Sequence, residues 1–218
     1  MSKSNSSNPC TKTSLAQSSI EAIARPDWKL RTRALEFGRI PLLMGIVNVT
    51  PDSFSDGGDF FTVQAAIDHA LHLEDAGADL LDIGGESTRP YSGSVSSEEE
   101  LRRIVPVFER LSRRVQCPLS IDTSKSQVAR VAIDLGAEII NDVTGLEGDP
   151  QMLPLAVETR VGVCAMHMQG TPQTMQVAPT YVDVVAEIHQ YLHERKLGLL
   201  AGGVELARIC LDPGIGFG

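Results

Sequence analysis

Residues 117–143 read CPLSIDTSKSQVARVAIDLGAEIINDV, and they contain one complete structural repeat. Leu119 and Ile121 are apolar, and the run stops at Asp122. Ser124 is a helix-opening residue type, and Val128, Val131, Ala132 and Leu135 follow at helical spacing. Gly136 stands where a helix that ends in the left-handed conformation places glycine. Ile139 and Ile140 then start a second apolar run, which stops at Asn141-Asp142. The unit is strand, helix, strand, with a polar residue at the end of each strand.

The pattern extends in both directions. Upstream, residues 41–49 form an apolar run ending near Asn48. Thr62 is the expected N-cap of a helix with Val63, Ala66, Ile67, Ala70 and Leu71 inward, and Gly77 closes it. Leu80 to Ile83 is the next strand. Ser97-Glu98-Glu99-Glu100 has the form of a capping box before a stripe of Leu101, Ile104, Val105, Phe108 and Leu111. Pro106 within that stripe predicts a kink or an early end. Downstream, a short helix is expected from Asp149-Pro150, a strand over residues 161–166, and a helix lined by Val184, Val185, Ile188 and Leu192. A strand over residues 209–211 comes last.

Six βα units with helical crossovers imply a parallel sheet. Both a doubly wound sheet and a (β/α)8 TIM barrel fit that alternation. The strand ends carry Asn48, Asp82, Asp122, Asn141-Asp142, His167 and Asp212. Barrel topology brings every such end to one rim, whereas an open sheet shares a crevice only at its switch point. The expectation is therefore an α/β fold, an incomplete (β/α)8 barrel. Residues 1–25, rich in Ser, Thr and Asn, read as a disordered polar tail, and 26–218 as the barrel domain. About 193 residues accommodate six βα units, whereas eight typically need about 250. The chain is thus expected to lack the last two strands.

Net charge is −9, from 19 basic and 28 acidic residues, the wrong sign for a nucleic-acid binder. No apolar run reaches the roughly 20 residues of a membrane span, and the N-terminus lacks the apolar core of a secretory signal. Cys10, Cys117, Cys164 and Cys210 show no metal-ligand spacing, so reduced thiols in a cytoplasmic protein are expected. His69 with His72, and His189 with His193, read as solvated helix faces rather than zinc sites. Glu98 to Glu100 reads as a helix start favoured by the dipole.

Three loops after strands are dense in Gly, Pro and Asp: NVTPDSFSDGG (48–58), GGESTRP (84–90) and DPGIGFG (212–218). Each alone is also a sufficient recipe for a tight turn. Together with SIDT (120–123), INDVTG (140–145) and MHMQGTPQTMQ (166–176), they occur in the order found in the dihydropteroate synthase family. From about Trp28 onward the chain resembles that family. Rival readings on the same scaffold are a pterin-dependent methyltransferase domain and a non-catalytic binding module.

The resemblance implies a reaction between a (7,8-dihydropterin-6-yl)methyl diphosphate and 4-aminobenzoate, yielding dihydropteroate and diphosphate. It implies pterin binding by Asp122, Asn141 and Asp212, with the two aspartates also stabilising a pterin cation. It implies Mg2+, with Asn48 as the metal-side ligand. It places Thr88, Arg89 and Pro90 around 4-aminobenzoate and the diphosphate, with Phe54 and Phe217 near the ring. Tyr91 stands where many relatives have Gly. For Asp122, a helix N-cap is the competing role, and His167 is a candidate for support around the site. The resemblance further implies a homodimeric full-length protein, a sulfonamide target, and later Lys, Arg and His contributions beyond Gly218. The 218-residue polypeptide made alone is expected to be unstable and inactive.

Overall fold

A computed structural model describes residues 27–50, 58–86, 95–171 and 174–217. The polar tail and the residues Phe54, Thr88, Arg89, Pro90 and Tyr91 lie outside them. An antiparallel hairpin comes first, β1 (Trp28–Lys29) with β2 (Ala34–Leu35). Six βα-type strands follow: β3 (Met44–Asn48), β4 (Leu80–Gly84), β5 (Leu119–Asp122), β6 (Ala137–Asp142), β7 (Gly162–Met166) and β8 (Ile209–Asp212). The helices between them are α1 (Gly58–Asp75), α2 (Ser97–Leu111), α3 (Ser126–Asp134), α4 (Met152–Thr159) and α5 (Val184–Ala201), with a 3-10 turn at Leu206–Arg208.

The six strands pair in chain order, β3-β4-β5-β6-β7-β8, and every pairing is parallel. A doubly wound sheet would reverse its order at the switch point. Sequential order is the barrel solution, here an arc of six strands.

Strand alternation divides the arc into two faces. Val47, Leu81, Ile83, Leu119, Ile121, Ile140, Val163 and Ala165 point outward. They join Ile67, Ile104, Phe108, Val128 and Ala132 of the helices in the main core. Each such side chain contributes about 1.5–3 kcal/mol when fully buried. The opposite face begins with Met44, Leu80, Ile139 and Cys164, which pack on Trp28 and Leu30. The hairpin thus plugs the bottom of the arc. Trp28 Nε1 donates to the carbonyl of Arg208 at 2.9 Å. Glu138 holds the hairpin turn through Thr32 N at 3.0 Å and Arg33 at 2.8 Å. Gly162 leaves room for it, since a Cβ there would sit 2.7 Å from Leu30 Cδ2.

Several local expectations need correction. Helix α1 starts at Gly58, before Thr62, so Thr62 is not its cap. The cap of α2 is Ser96, accepting from Glu99 N at 3.2 Å, and not Ser97. Pro106 lies within an unbroken α2. Ser124 does not open α3: the helix starts at Ser126, whose amide donates to Asp149 Oδ2 at 2.8 Å. The start expected at Asp149-Pro150 also shifts: α4 begins at Met152 without a side-chain cap, and Asp149 Oδ1 accepts instead from Gln151 N at 2.9 Å in the turn before it. On α5, Val184 and Val185 are exposed and Leu199 is the buried residue. This helix packs through its C-terminal half, so the apolar residues of its first turn face away from the described core.

Candidate active site

The inner face changes character toward the C-terminal ends of the strands. Its lateral rows follow from register. Asn48 pairs with Gly84, Gly84 with Asp122, Asp122 with Asn141, and Asn141 with Cys164. Asp212 pairs with Met166 on the same face. Asn48, Asp122, Asn141 and Asp212 therefore share one face and one end of the arc, as barrel topology demands. Gly84 makes this crowding feasible, because a Cβ there would sit 3.2 Å from Asp122 Oδ2.

Adjacent residues of one motif diverge. Asn141 faces inward, and its Nδ2 donates to Asp82 Oδ2 at 2.9 Å. Asp142, on the outer face, is wholly buried and organises the loop after β6. Its Oδ1 accepts from Thr144 N at 2.8 Å and from Thr144 Oγ1 at 2.8 Å, and its Oδ2 from Leu146 N at 3.1 Å.

The competing N-cap role for Asp122 does not hold, since the amides at the start of α3 go to Thr123 and Asp149. Burial pushes the Asp122 carboxyl well above the usual range, and the neighbouring Asp82, Asp142, Glu100 and Glu86 add to this. Burial likewise raises Asp82, against the neighbouring Ser120 hydroxyl and the hydrogen bond from Asn141. The cavity end of the arc is thus electronegative and short of cations among the described residues, a setting that favours a donor-rich or positively charged ligand.

At β8, Asp212 Oδ1 accepts from Gly214 N at 2.8 Å, which folds the DPGIGFG turn. Gly214 has φ +67, and a Cβ there would collide with the carbonyl oxygen of His167. Phe217 N donates to Gly214 O at 2.9 Å, setting that aromatic at the end of the same turn. His167 is a support. Its amide donates to Asp212 O at 2.9 Å, and its ring packs edge-on against Tyr191 of α5, centroids 4.9 Å apart. Burial lowers its pKa.

A cluster that local sequence patterns did not reveal lies beside this rim. Lys125 bonds Glu86, and also Glu100 at 2.6 Å. Glu100 stands in the acidic first turn of α2, as expected, but it is also completely buried and anchors Lys125. Burial works against the Lys125 charge, but the bonds to Glu100 and Glu86 outweigh it and raise its pKa. Glu86 Oε1 also accepts from Val95 N at 3.1 Å, joining the two flanks of the segment 87–94. The members lie 39 and 25 positions from Lys125, beyond the reach of any periodicity. Replacing Lys125 by Met strands two carboxylates, one of them buried. Urea denaturation should show a loss of about 3–5 kcal/mol, and Lys125→Arg should recover part of it.

An all-parallel βα arc with carboxylate and amide acceptors grouped at its C-terminal end is the arrangement of a (β/α) barrel whose rim presents acceptors suited to N–H donors. The chain belongs to the pterin binding enzyme family, whose pattern matches residues 44–218. It is 49% identical over 178 residues to the dihydropteroate synthase of Escherichia coli K12, covering 82% of this chain and 63% of that enzyme. The chain therefore spans less than two thirds of that relative's length. Among solved structures it resembles Xanthomonas albilineans dihydropteroate synthase with 4-aminobenzoic acid. The TM-score is 0.81 and the identity 51%, covering 88% of this chain and 68% of that one. The same enzyme in complex with 7,8-dihydropteroate matches with a TM-score of 0.77 at 48% identity, covering 88% and 67%.

Proposed function

We propose that the protein is a dihydropteroate synthase, joining (7,8-dihydropterin-6-yl)methyl diphosphate to 4-aminobenzoate. The observation that carries this is the grouping of Asn48, Asp122, Asn141 and Asp212 on one inner face at one end of the arc. The relatives bound to 4-aminobenzoic acid and to 7,8-dihydropteroate support it.

The pterin edge offers ring N–H and amino donors, and the three acceptors Asp122, Asn141 and Asp212 answer them. The methylene C–O bond breaks, and the diphosphate leaves with the electron pair. Positive charge spreads into the pterin, where Asp122 and Asp212 stabilise it through a site already organised for that charge. The amine nitrogen of 4-aminobenzoate then forms the new C–N bond and gives up a proton to solvent or to the departing diphosphate. Phe217, with Phe54, Thr88, Arg89 and Pro90, would frame 4-aminobenzoate and the diphosphate.

Asn48 supplies a single hard oxygen, and no group of three or more His, Cys, Asp or Glu among the described residues could hold a metal. That donor set fits Mg2+ only where phosphate oxygens and water complete its shell. When bound, Mg2+ would neutralise charge on the diphosphate. The full-length protein is read as a cytoplasmic homodimer and a sulfonamide target. No helix among the described residues is long and apolar enough to cross a membrane.

Purified full-length protein given both substrates should incorporate labelled 4-aminobenzoate and release diphosphate in equal amounts, and a sulfonamide should compete with 4-aminobenzoate. Methyl transfer from a methylated pterin, without 4-aminobenzoate incorporation, would instead establish the methyltransferase alternative.

A further inference from the structure

We propose that Asp82 is a positioning residue that fixes which end of the Asn141 amide faces the cavity, and so makes Asn141 an acceptor for the ligand's N–H edge. The inference rests on the pterin reading above and adds a residue to it.

Asp82 lies on the inner face of β4, two residues below the rim position Gly84, and is 3% exposed. Asn141 Nδ2 donates to its Oδ2 at 2.9 Å across 59 positions of sequence. A carboxylate can only accept, so it selects the nitrogen end of the amide. Oδ1 is then left for whatever enters the cavity.

The other neighbours of Asn141 do not supply this choice. In register it is flanked by Asp122 and Cys164. A thiol is a weak donor, and neither Asp122 nor Cys164 is hydrogen-bonded to Asn141 among the described residues. The two ends of an amide are nearly the same size, so packing alone leaves both orientations open.

The cost of burying Asp82 argues that it has a role beyond packing. Its Oδ1 forms no well-directed hydrogen bond among the described residues, and the one polar group beside it is the buried Ser120 hydroxyl on β5, which offers a single weak donor. An unpaired buried polar atom is destabilising, and a small apolar residue would fill the position without that penalty. The charged and titratable groups around it are Asp122 on β5 and Cys164 on β7, with Asp212 on β8 at the same end of the arc. None is a cation that would explain a carboxylate at this point. A flipped Asn141 would set its N–H against the ligand's N–H donors, replacing one hydrogen bond with a repulsion.

The test is a double-mutant cycle on 7,8-dihydropteroate binding to the full-length protein, measured by calorimetry. Asp82→Leu, which removes every acceptor at that position, should weaken binding roughly tenfold, the size of one hydrogen bond to the ligand. In an Asn141→Ala background the same change should cost less than about twofold, because the group it positions is gone. Unchanged affinity in Asp82→Leu, or an equal loss in both backgrounds, overturns the proposal. A purely structural role would give that equal loss.

Should Asp82→Leu fail to fold, the side-chain amide signals of wild-type Asn141 in 15N-labelled protein decide the matter without a variant at position 82. They should be slow to exchange in the absence of ligand, and rapid exchange overturns the proposal. Failure of wild type to bind dihydropteroate, with that amide protected, counts against the pterin reading while leaving the Asp82–Asn141 contact intact.

Discussion

Asp122→Asn should make the full-length protein more stable at neutral pH while reducing its synthase activity roughly tenfold or more. The two effects have one cause. Asp122 is held well above the ordinary carboxylate pKa by burial and by Asp82, Asp142, Glu100 and Glu86. A carboxyl whose folded pKa is raised binds its proton more tightly in the folded state. Its stabilising contribution is complete below the unfolded value, near 4. It is lost as pH climbs through the raised value. A carboxyl at this position therefore costs stability at pH 7.5, and the isosteric amide removes that cost. The expected gain is on the order of 1–3 kcal/mol, the scale of an unfavourable buried polar group.

The measurement is urea denaturation of both proteins at pH 5 and 7.5. The gap between them should widen with pH. A variant less stable than wild type at pH 7.5 would contradict the electrostatic description. Activity falls because the amide no longer offers the charged acceptor that the pterin cation needs, and a charged hydrogen bond is worth roughly 1.5–3 kcal/mol.

Gly214→Ala should have the second large effect. The residue has φ +67, and its missing Cβ would fall on the carbonyl oxygen of His167. Neither partner is a flexible side chain, so the turn itself must give way. That turn holds Asp212 through the Gly214 amide at 2.8 Å and sets Phe217 through the Gly214 carbonyl at 2.9 Å. We expect synthase activity to fall by roughly two orders of magnitude, the equivalent of about 3 kcal/mol in the barrier, with KM for the pterin substrate raised. Gly216→Ala is the control. Its φ of +92 is also left-handed, but nothing lies within 4 Å of the added carbon. It should cost only the backbone preference, about 1 kcal/mol. Equal kinetics for the two variants would mean that the contact with His167 does not govern the site.

The residues that were legible in the sequence are those fixed by strand alternation and chain order. Asn48, Asp122, Asn141 and Asp212 each end an apolar run, and barrel topology leaves such ends only one place to go. The helix termini were less legible, because caps can be supplied from far away. Ser124 looked like the start of α3, yet the helix begins at Ser126 under a carboxylate from Asp149. The hairpin at Trp28 was missed because two-residue strands carry no periodicity. Its reason for existing is the opening beneath Gly162 and Ile139, which only the assembled arc creates. Lys125 with Glu86 and Glu100, and Asp82 with Asn141, were illegible for the same reason. Each joins side chains far apart in the chain, from loops and a helix in the first case and from two strands in the second, which only the assembled fold brings together.

The most direct test is a crystal structure of the full-length protein with 7,8-dihydropteroate bound. The pterin should lie in the mouth of the barrel at the C-terminal ends of β5, β6 and β8. Its N–H edge should be within hydrogen-bond distance, about 2.7–3.2 Å, of Asp122, Asn141 and Asp212. A pterin bound elsewhere, or one meeting those three side chains with its apolar face, would contradict the assignment of the site.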